Sequence, residues 1–491
     1  VAAAAALLAL HAAQAWPFTV DDTYITLRYS QNVAAGLGPT FNATGPRAEG
    51  YTSLLWMLLL AAPHALGLDA VLVAKGLGVA ATFGTLVVTA RWAAAEGARV
   101  APSAKSWAGS AAAACFAAIP ATAVHAVSGM ETALFTLLLV GMFAAAADLS
   151  ADHRRATHRV VALALLAGLT RPEGNLAALV VIASTAAQLP RDARIALAFR
   201  AALGWALPIA AYELWRRIYY GLTFPLPFYV KLATPGLLPG WPDVRDWLCG
   251  PPLHFGPLLL AGLFRPSRSL RAPLFGTLAL VGFFVLPQHQ MGYDHRYLAP
   301  LDPVVALIAG LGLARFAGWA ARWPVPVTQA AAATGLLVAT GLESIGAQAV
   351  IGGEADYGRG LAAAHERLGR DLRTLDMPAG RLVISDAGAV PYYSGWWTLD
   401  LVGLNDATIA TTGRRDPQWV LAQQPDVVVL ASPSPERVEP WDWNTWEPAL
   451  YDACIAAGFV RVGLRRFADD YWLWVLARPA SIAGAGLVAR E

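Results

Sequence analysis

Two carboxylates stand side by side near the start of the chain. Asp21 and Asp22 follow Trp16-Pro17-Phe18-Thr19-Val20 and lead into Thr23-Tyr24-Ile25-Thr26-Leu27-Arg28-Tyr29. An aspartate suits a helix N-cap, where its carboxylate accepts a bond from an otherwise unpaired backbone N–H. One cap needs one carboxylate, which leaves the other for chemistry. Where a chain leaves the membrane such a charge is costly to desolvate and marks function. An ionised Asp in that place can take a proton from an attacking hydroxyl, or attack an electrophilic carbon itself.

A second set of residues is cationic. Arg171 lies in Thr170-Arg171-Pro172-Glu173-Gly174, Lys231 closes Phe224-Pro225-Leu226-Pro227-Phe228-Tyr229-Val230-Lys231, and Arg296 lies in Tyr293-Asp294-His295-Arg296-Tyr297. Cations held beside aromatic rings suit an anionic headgroup such as a lipid phosphate. The plain alternative is local pairing, Arg171 with Glu173 and Arg296 with Asp294. Arg216 and Arg217 read as snorkelling at a helix end. Glu131 opens an apolar stretch, either as a helix-start carboxylate favoured by the dipole or as a partner behind the acidic pair.

These groups must be held by a membrane protein. Of 491 residues 56% are hydrophobic and only 14% charged, against about 25% charged in soluble proteins. A net charge of +2 gives no case for a nucleic-acid partner. Eleven apolar segments, from 1–16 to 325–344, read as crossings, several of them short of the ~20 residues a span needs. Ala13-Gln14-Ala15 resembles a cleavage site, but no basic stretch precedes it, so the first helix reads as retained. Basic clusters at Arg91/Arg99/Lys105, Arg154/Arg155/Arg159, Arg191/Arg194/Arg200, Arg265/Arg268/Arg271 and Arg315/Arg322 mark the cytoplasmic loops. Alternation then requires 51–68, with Pro63 and His64, to be a juxtamembrane or re-entrant helix. The acidic pair, the three cations and a first loop of about 17–69 fall outside.

Residues 1–349 thus form the membrane domain and 350–491 an outer α/β domain. In the latter, Arg381–Ser385, Asp426–Leu430 and Trp472–Leu476 read as strands, with helices at 359–373, 416–423 and 446–457. Trp441, Trp443 and Trp446 read as a sugar- or interface-contacting set, or as ordinary core. His11, His64 and His125 are isolated. No metal or other cofactor is expected, an outer cation on Asp21/Asp22 being the one place left for it. No phosphate-binding loop of the nucleotide type occurs, which argues against a nucleotide-linked substrate.

Several motifs run in order along the chain: DDTYITLRYSQNVAAGLGPTFNATGPRAEGYTSLLW, SGMET, LTRPEG, YYG with a following Pro and Lys, DHRYLAP, and DAGAVPYYSG with DLVGLND. Together they resemble the AftB-type arabinofuranosyltransferases, polytopic GT-C membrane glycosyltransferases of actinobacterial cell-wall arabinan assembly. The resemblance implies a GT-C fold in the bacterial plasma membrane with the active site outside. It also implies a polyprenyl-phosphate sugar donor, decaprenyl-phosphoryl-arabinofuranose in the nearest relatives, and a glycan acceptor. The essential aspartate falls on Asp21 or Asp22, and Lys231, Arg296 and Arg171 would meet the donor phosphate. Tyr24, Arg28, Glu49, Glu131, Glu173, Tyr220, Asp294, His295, Tyr393, Trp396 and Asn405, from the same motifs, would touch substrate or support residues that do. Another polyprenyl-phosphate sugar such as mannose or glucose, a protein acceptor, and a lipid-linked sugar transporter are the alternatives.

Overall fold

The computed structural model describes residues 1–100, 102, 105–148, 153–232, 238–287, 291–320, 325–375, 377, 379–442 and 444–479. Arg322 and Trp443 lie outside the described residues.

The first 320 residues are almost wholly helical. By length and composition, four helices among the described residues are able to cross a membrane: Ala70–Val100, Arg191–Tyr220, Tyr293–Ala320 and Ala333–Arg373. A fifth crossing arises if the pair Trp107–Ala118 and Pro120–Val127, bent by 66°, counts as one. The bend has a local cause. Pro120 forces Ile119 out of the helical region, to φ −69°, ψ 116°, as a residue before proline must be. A count of eleven would therefore rest on shorter helices such as Ala2–Gln14 and Thr132–Ala147. Leu54–Ala65 has 12 residues, about 18 Å of helix, which is too short to span.

Residues Asp302–Ala320 form the middle of the bundle, buried on nearly every side. Glycine lets helices close on it: a Cβ at Gly310 would lie 2.4 Å from the carbonyl oxygen of Ala108, and one at Gly312 would lie 2.0 Å from that of Leu258. Position 350 falls inside the Val325–Leu361 helix, so the C-terminal domain grows from a continuous helix without a linker.

That domain is a five-stranded mixed sheet. Its strands are β1 (Arg381–Ile384), β2 (Trp397–Asp400), β3 (Val427–Ser432), β4 (Val460–Ala468) and β5 (Tyr471–Ala477), in the order β2-β1-β3-β5-β4. β1 pairs in parallel with β2 and β3, while β5 runs antiparallel to β3 and β4. The continuous apolar run of β3 is buried throughout, as a central strand covered on both faces should be. β2 and β4 are the two edges, and Arg461, Arg465 and Arg466 blunt β4. The loops following β1 and β2 lie against the segment 21–50.

Candidate active site

Asp21 and Asp22 begin the Asp21–Ala34 helix, whose N-cap is Val20 with no side-chain cap. Neither aspartate is the cap that their sequence suggests. Both carboxylates sit in the first turn, where the backbone dipoles favour negative charge. They diverge, because neighbours on a helix are about 100° apart.

Asp22 faces an open cleft whose wall also carries Thr26, Glu131, Lys231 and Arg296, with Met130 and Leu404 among its apolar members. Arg296 Nη1 is 3.6 Å from Asp22 Oδ2, and its Nη2 is 3.3 Å from Glu131 Oε1. Arg171 stands behind that wall. Its Nη1 is 3.7 Å from the same Glu131 oxygen, and its Nε donates to Glu173 Oε1 at 2.5 Å. Glu131, 2% exposed, thus holds two buried guanidinium groups that would otherwise repel.

Lys231 Nζ donates to the Tyr297 hydroxyl at 2.7 Å. The Tyr297 ring centre lies 5.1 Å from Lys231 Nζ, 5.2 Å from Arg171 Cζ and 5.7 Å from Arg296 Cζ. One ring therefore gathers all three cations, each within cation–π reach. Arg296 Nε and Arg171 Nη1 are buried and make no hydrogen bond among the described residues. Buried donors of that kind call for an acceptor, and an anion in the cleft would supply one.

Of the two local pairings open in the sequence, Arg171–Glu173 is present. Arg296 instead turns to Glu131 and Asp22. Asp294 and His295 take left-handed φ values of 42° and 54°, a conformation unusual for such residues. Neither lines the cleft.

The other sequence candidates lie around this centre. The Asp21 carboxylate, 9% exposed, accepts bonds from the N–H groups of Gly388 (2.9 Å) and Ala389 (2.8 Å). Burial pushes its carboxyl up to about 7, against the opposing pull of His365. Tyr24 donates to Glu366 Oε1 at 2.5 Å. Arg28, 4% exposed, donates to the carbonyls of Phe41, Pro391 and Trp396. Tyr220 donates to Pro39 O at 2.8 Å and meets the hydroxyl of Tyr51, a cleft residue, at 3.2 Å. The Tyr393 ring lies under the Arg370 guanidinium. Asn405 gives its backbone N–H and side-chain amide to Asp400 Oδ2.

Arg216 requires a correction. It does not snorkel: it is 2% exposed, with Nη2 2.6 Å from Glu49 Oε2. Glu49, 167 residues away in sequence, compensates the buried charge. Arg217 is exposed. Trp441 and Trp446 are half-buried rather than an open platform, the latter beneath Arg415.

The sequence did not single out Tyr297 or Leu404. Tyr297 was visible as the aromatic following Arg296. Leu404 reaches the cleft because DLVGLND folds around one carboxylate. Asp400 accepts from the N–H groups of Val402, Gly403 and Asn405 at 2.9, 3.1 and 2.8 Å, and Gly403 supplies the left-handed φ of 93° that the turn needs. Among the described residues no three His, Cys, Asp or Glu side chains are grouped as metal ligands.

A protein family described as a domain of unknown function, DUF8728, matches residues 357–475. No curated protein matches the sequence. Solved structures do. ArnT from Cupriavidus metallidurans bound to undecaprenyl phosphate superposes with a TM-score of 0.67 at 15% identity, over 99% of this chain and 98% of that one. Arabinofuranosyltransferase AftD from Mycobacteria gives 0.54 at 18% identity, over 97% of this chain but 39% of its own. The Archaeoglobus fulgidus oligosaccharyltransferase, tethered with an acceptor peptide, gives 0.53 at 10% identity, over 86% and 68%. This chain shares its overall fold with these three structures.

Proposed function

We propose that the chain is a membrane glycosyltransferase that moves a sugar from a polyprenyl-phosphate carrier to a cell-envelope glycan on the extracytoplasmic side. D-Arabinofuranose from decaprenyl-phosphoryl-arabinofuranose, with arabinan as acceptor, is the leading pair. One observation carries the reading: a partly exposed carboxylate, Asp22, shares a single cleft with Lys231 and Arg296. The full-length likeness to ArnT, a structure that holds undecaprenyl phosphate, supports the donor class, and the ordered motifs support the sugar.

In the reaction the bond from the anomeric carbon to the phosphate oxygen breaks, leaving polyprenyl phosphate, and the acceptor oxygen ends bonded to that carbon. Lys231, Arg296 and Arg171 stabilise the charge gathering on the departing phosphate, at about 3 kcal/mol for a well-placed donor. Asp22 acts at the sugar. Inversion makes it the base that takes the acceptor's proton; retention makes it either the nucleophile, which bonds to the anomeric carbon as the phosphate leaves and is then displaced by the acceptor oxygen, or the stabiliser of an ion pair. The phosphate ester is itself the activated bond, so no nucleotide is needed.

The test is incubation of the purified protein with synthetic polyprenyl-phosphoarabinose and a panel of oligosaccharides. Linked product and free polyprenyl phosphate are expected, and the anomeric configuration of the product assigns the role of Asp22. Movement of the intact lipid-linked sugar across liposomes without any transfer would replace this reading with a transporter.

A further inference from the structure

The Asp21–Ala34 helix presents two faces to two partners. Asp22, Ile25 and Thr26 lie on the cleft wall. Asp21, Tyr24 and Arg28, three and four residues apart, fall on one adjoining stripe, and each bonds to the outer domain or to the long helix that leads into it. Asp21 takes the N–H groups of Gly388 and Ala389. Tyr24 reaches Glu366. Arg28 reaches the carbonyls of Pro391 and Trp396 at 2.5 and 2.6 Å.

The Asp21 contact is closely fitted. A Cβ at Gly388 would lie 2.4 Å from Asp21 Oδ2 and 2.1 Å from the Asp21 carbonyl oxygen, so only glycine admits the carboxylate. Two residues before Gly388, Asp386 is fixed by three bonds. His365 Nε2 is 2.8 Å from its Oδ2, and the Tyr471 hydroxyl lies 2.8 and 3.0 Å from its two oxygens. His365 is 1% exposed and sits on a π-helical turn, Ala362–Glu366, a local irregularity that often marks functional positions.

We infer that Asp21 is a positioning residue: its carboxylate latches the helix that carries Asp22 onto the loop after β1, and Asp386, braced by His365 and Tyr471, fixes that loop. The outer domain is then part of the catalytic apparatus, because it sets where Asp22 stands. This rests on the reading of Asp22 as the group that acts on the sugar. Asp21 and Asp22 have different duties although they share a motif.

The test is hydrogen–deuterium exchange across residues 21–34 of the full chain, with transfer kinetics in parallel. Asp21→Asn keeps one acceptor oxygen and sets an amide N–H₂ against the second donor. Exchange in this helix should quicken, and kcat should fall about tenfold, the worth of one hydrogen bond, with the donor KM unchanged. Gly388→Ala retains the carboxylate and displaces it, and should reproduce both effects. Asp22→Asn should leave the exchange as in the wild type. Unchanged exchange in Asp21→Asn would overturn the latch, whether transfer is normal or abolished; abolished transfer would make Asp21 the chemical group. If Gly388→Ala does not fold, Arg28→Lys supplies the second variant, with faster exchange expected and unchanged exchange contradicting the latch. Exchange is read on the unliganded protein, so failure of the donor assignment leaves this result intact.

Discussion

Asp21 and Asp22 are adjacent in the chain, yet their carboxylates serve different surroundings. Asp21 is bonded to two backbone N–H groups of the C-terminal domain, whereas Asp22 stands 3.6 Å from Arg296 on the cleft wall. A single helical step separates an anchor from an open, cation-facing acid. The arrangement places Asp22 on a helix, and the bonds of Asp21 join that helix to the C-terminal domain.

The cations should act on the donor. Lys231→Ala removes the ammonium that Tyr297 orients, and should weaken binding of a polyprenyl-phosphate sugar by about tenfold to a hundredfold, the range for a hydrogen bond to a charged group. Isothermal titration with polyprenyl phosphate measures it. An unchanged affinity would remove Lys231 from the phosphate site.

Glu131 should matter for stability as well as turnover. Glu131→Gln leaves Arg171 and Arg296 buried together without their shared counter-charge. Removing one partner of a buried ionic set costs about 3–5 kcal/mol. A clear drop in the thermal unfolding midpoint in detergent is expected, and a midpoint equal to wild type would deny Glu131 this role.

The Glu49–Arg216 pair offers a cleaner case, since both side chains are 2% exposed. Arg216→Met alone should destabilise by about 3–5 kcal/mol, because Glu49 is left buried and charged. Adding Glu49→Gln should recover much of the loss. Additive single effects in that cycle would show that the two do not interact.

One carboxyl predicts a pH slope. Burial pushes Glu447, in the C-terminal domain, up to about 8, while its bonds to Ser385 and Asn444 oppose the rise. A pKa raised by folding means that the native state keeps a proton which the unfolded chain releases. Its contribution is therefore full below the ordinary carboxyl range and is lost as pH rises through about 8. Glu447→Gln, which mimics the protonated form, should flatten the fall in melting temperature between pH 5 and pH 8 on this basis. A slope identical to wild type would contradict it.

Much of this was visible in the residues themselves. The acidic pair and the three cations announced themselves as charges in an apolar chain, and the cleft brings Asp22, Lys231 and Arg296 together. β1, β3 and β5 were legible as short apolar runs. β2 was hidden because Thr398 and Asp400 break its short apolar run, and β4 because three arginines interrupt its apolar alternation at the sheet edge. The different surroundings of Asp21 and Asp22 were invisible: the partners of Asp21 lie 367 and 368 residues away. Arg216 was misread for the same reason, since no local pattern points to Glu49.

The most direct measurement is single-turnover transfer from synthetic polyprenyl-phosphoarabinose by the wild type and by Asp22→Asn, with polyprenyl-phosphate affinity measured alongside. The expected result is a loss of about 10³-fold in rate, within the range for a base in the transition state, with affinity nearly unchanged. A variant that transfers at the wild-type rate would contradict the assignment of Asp22 to the sugar.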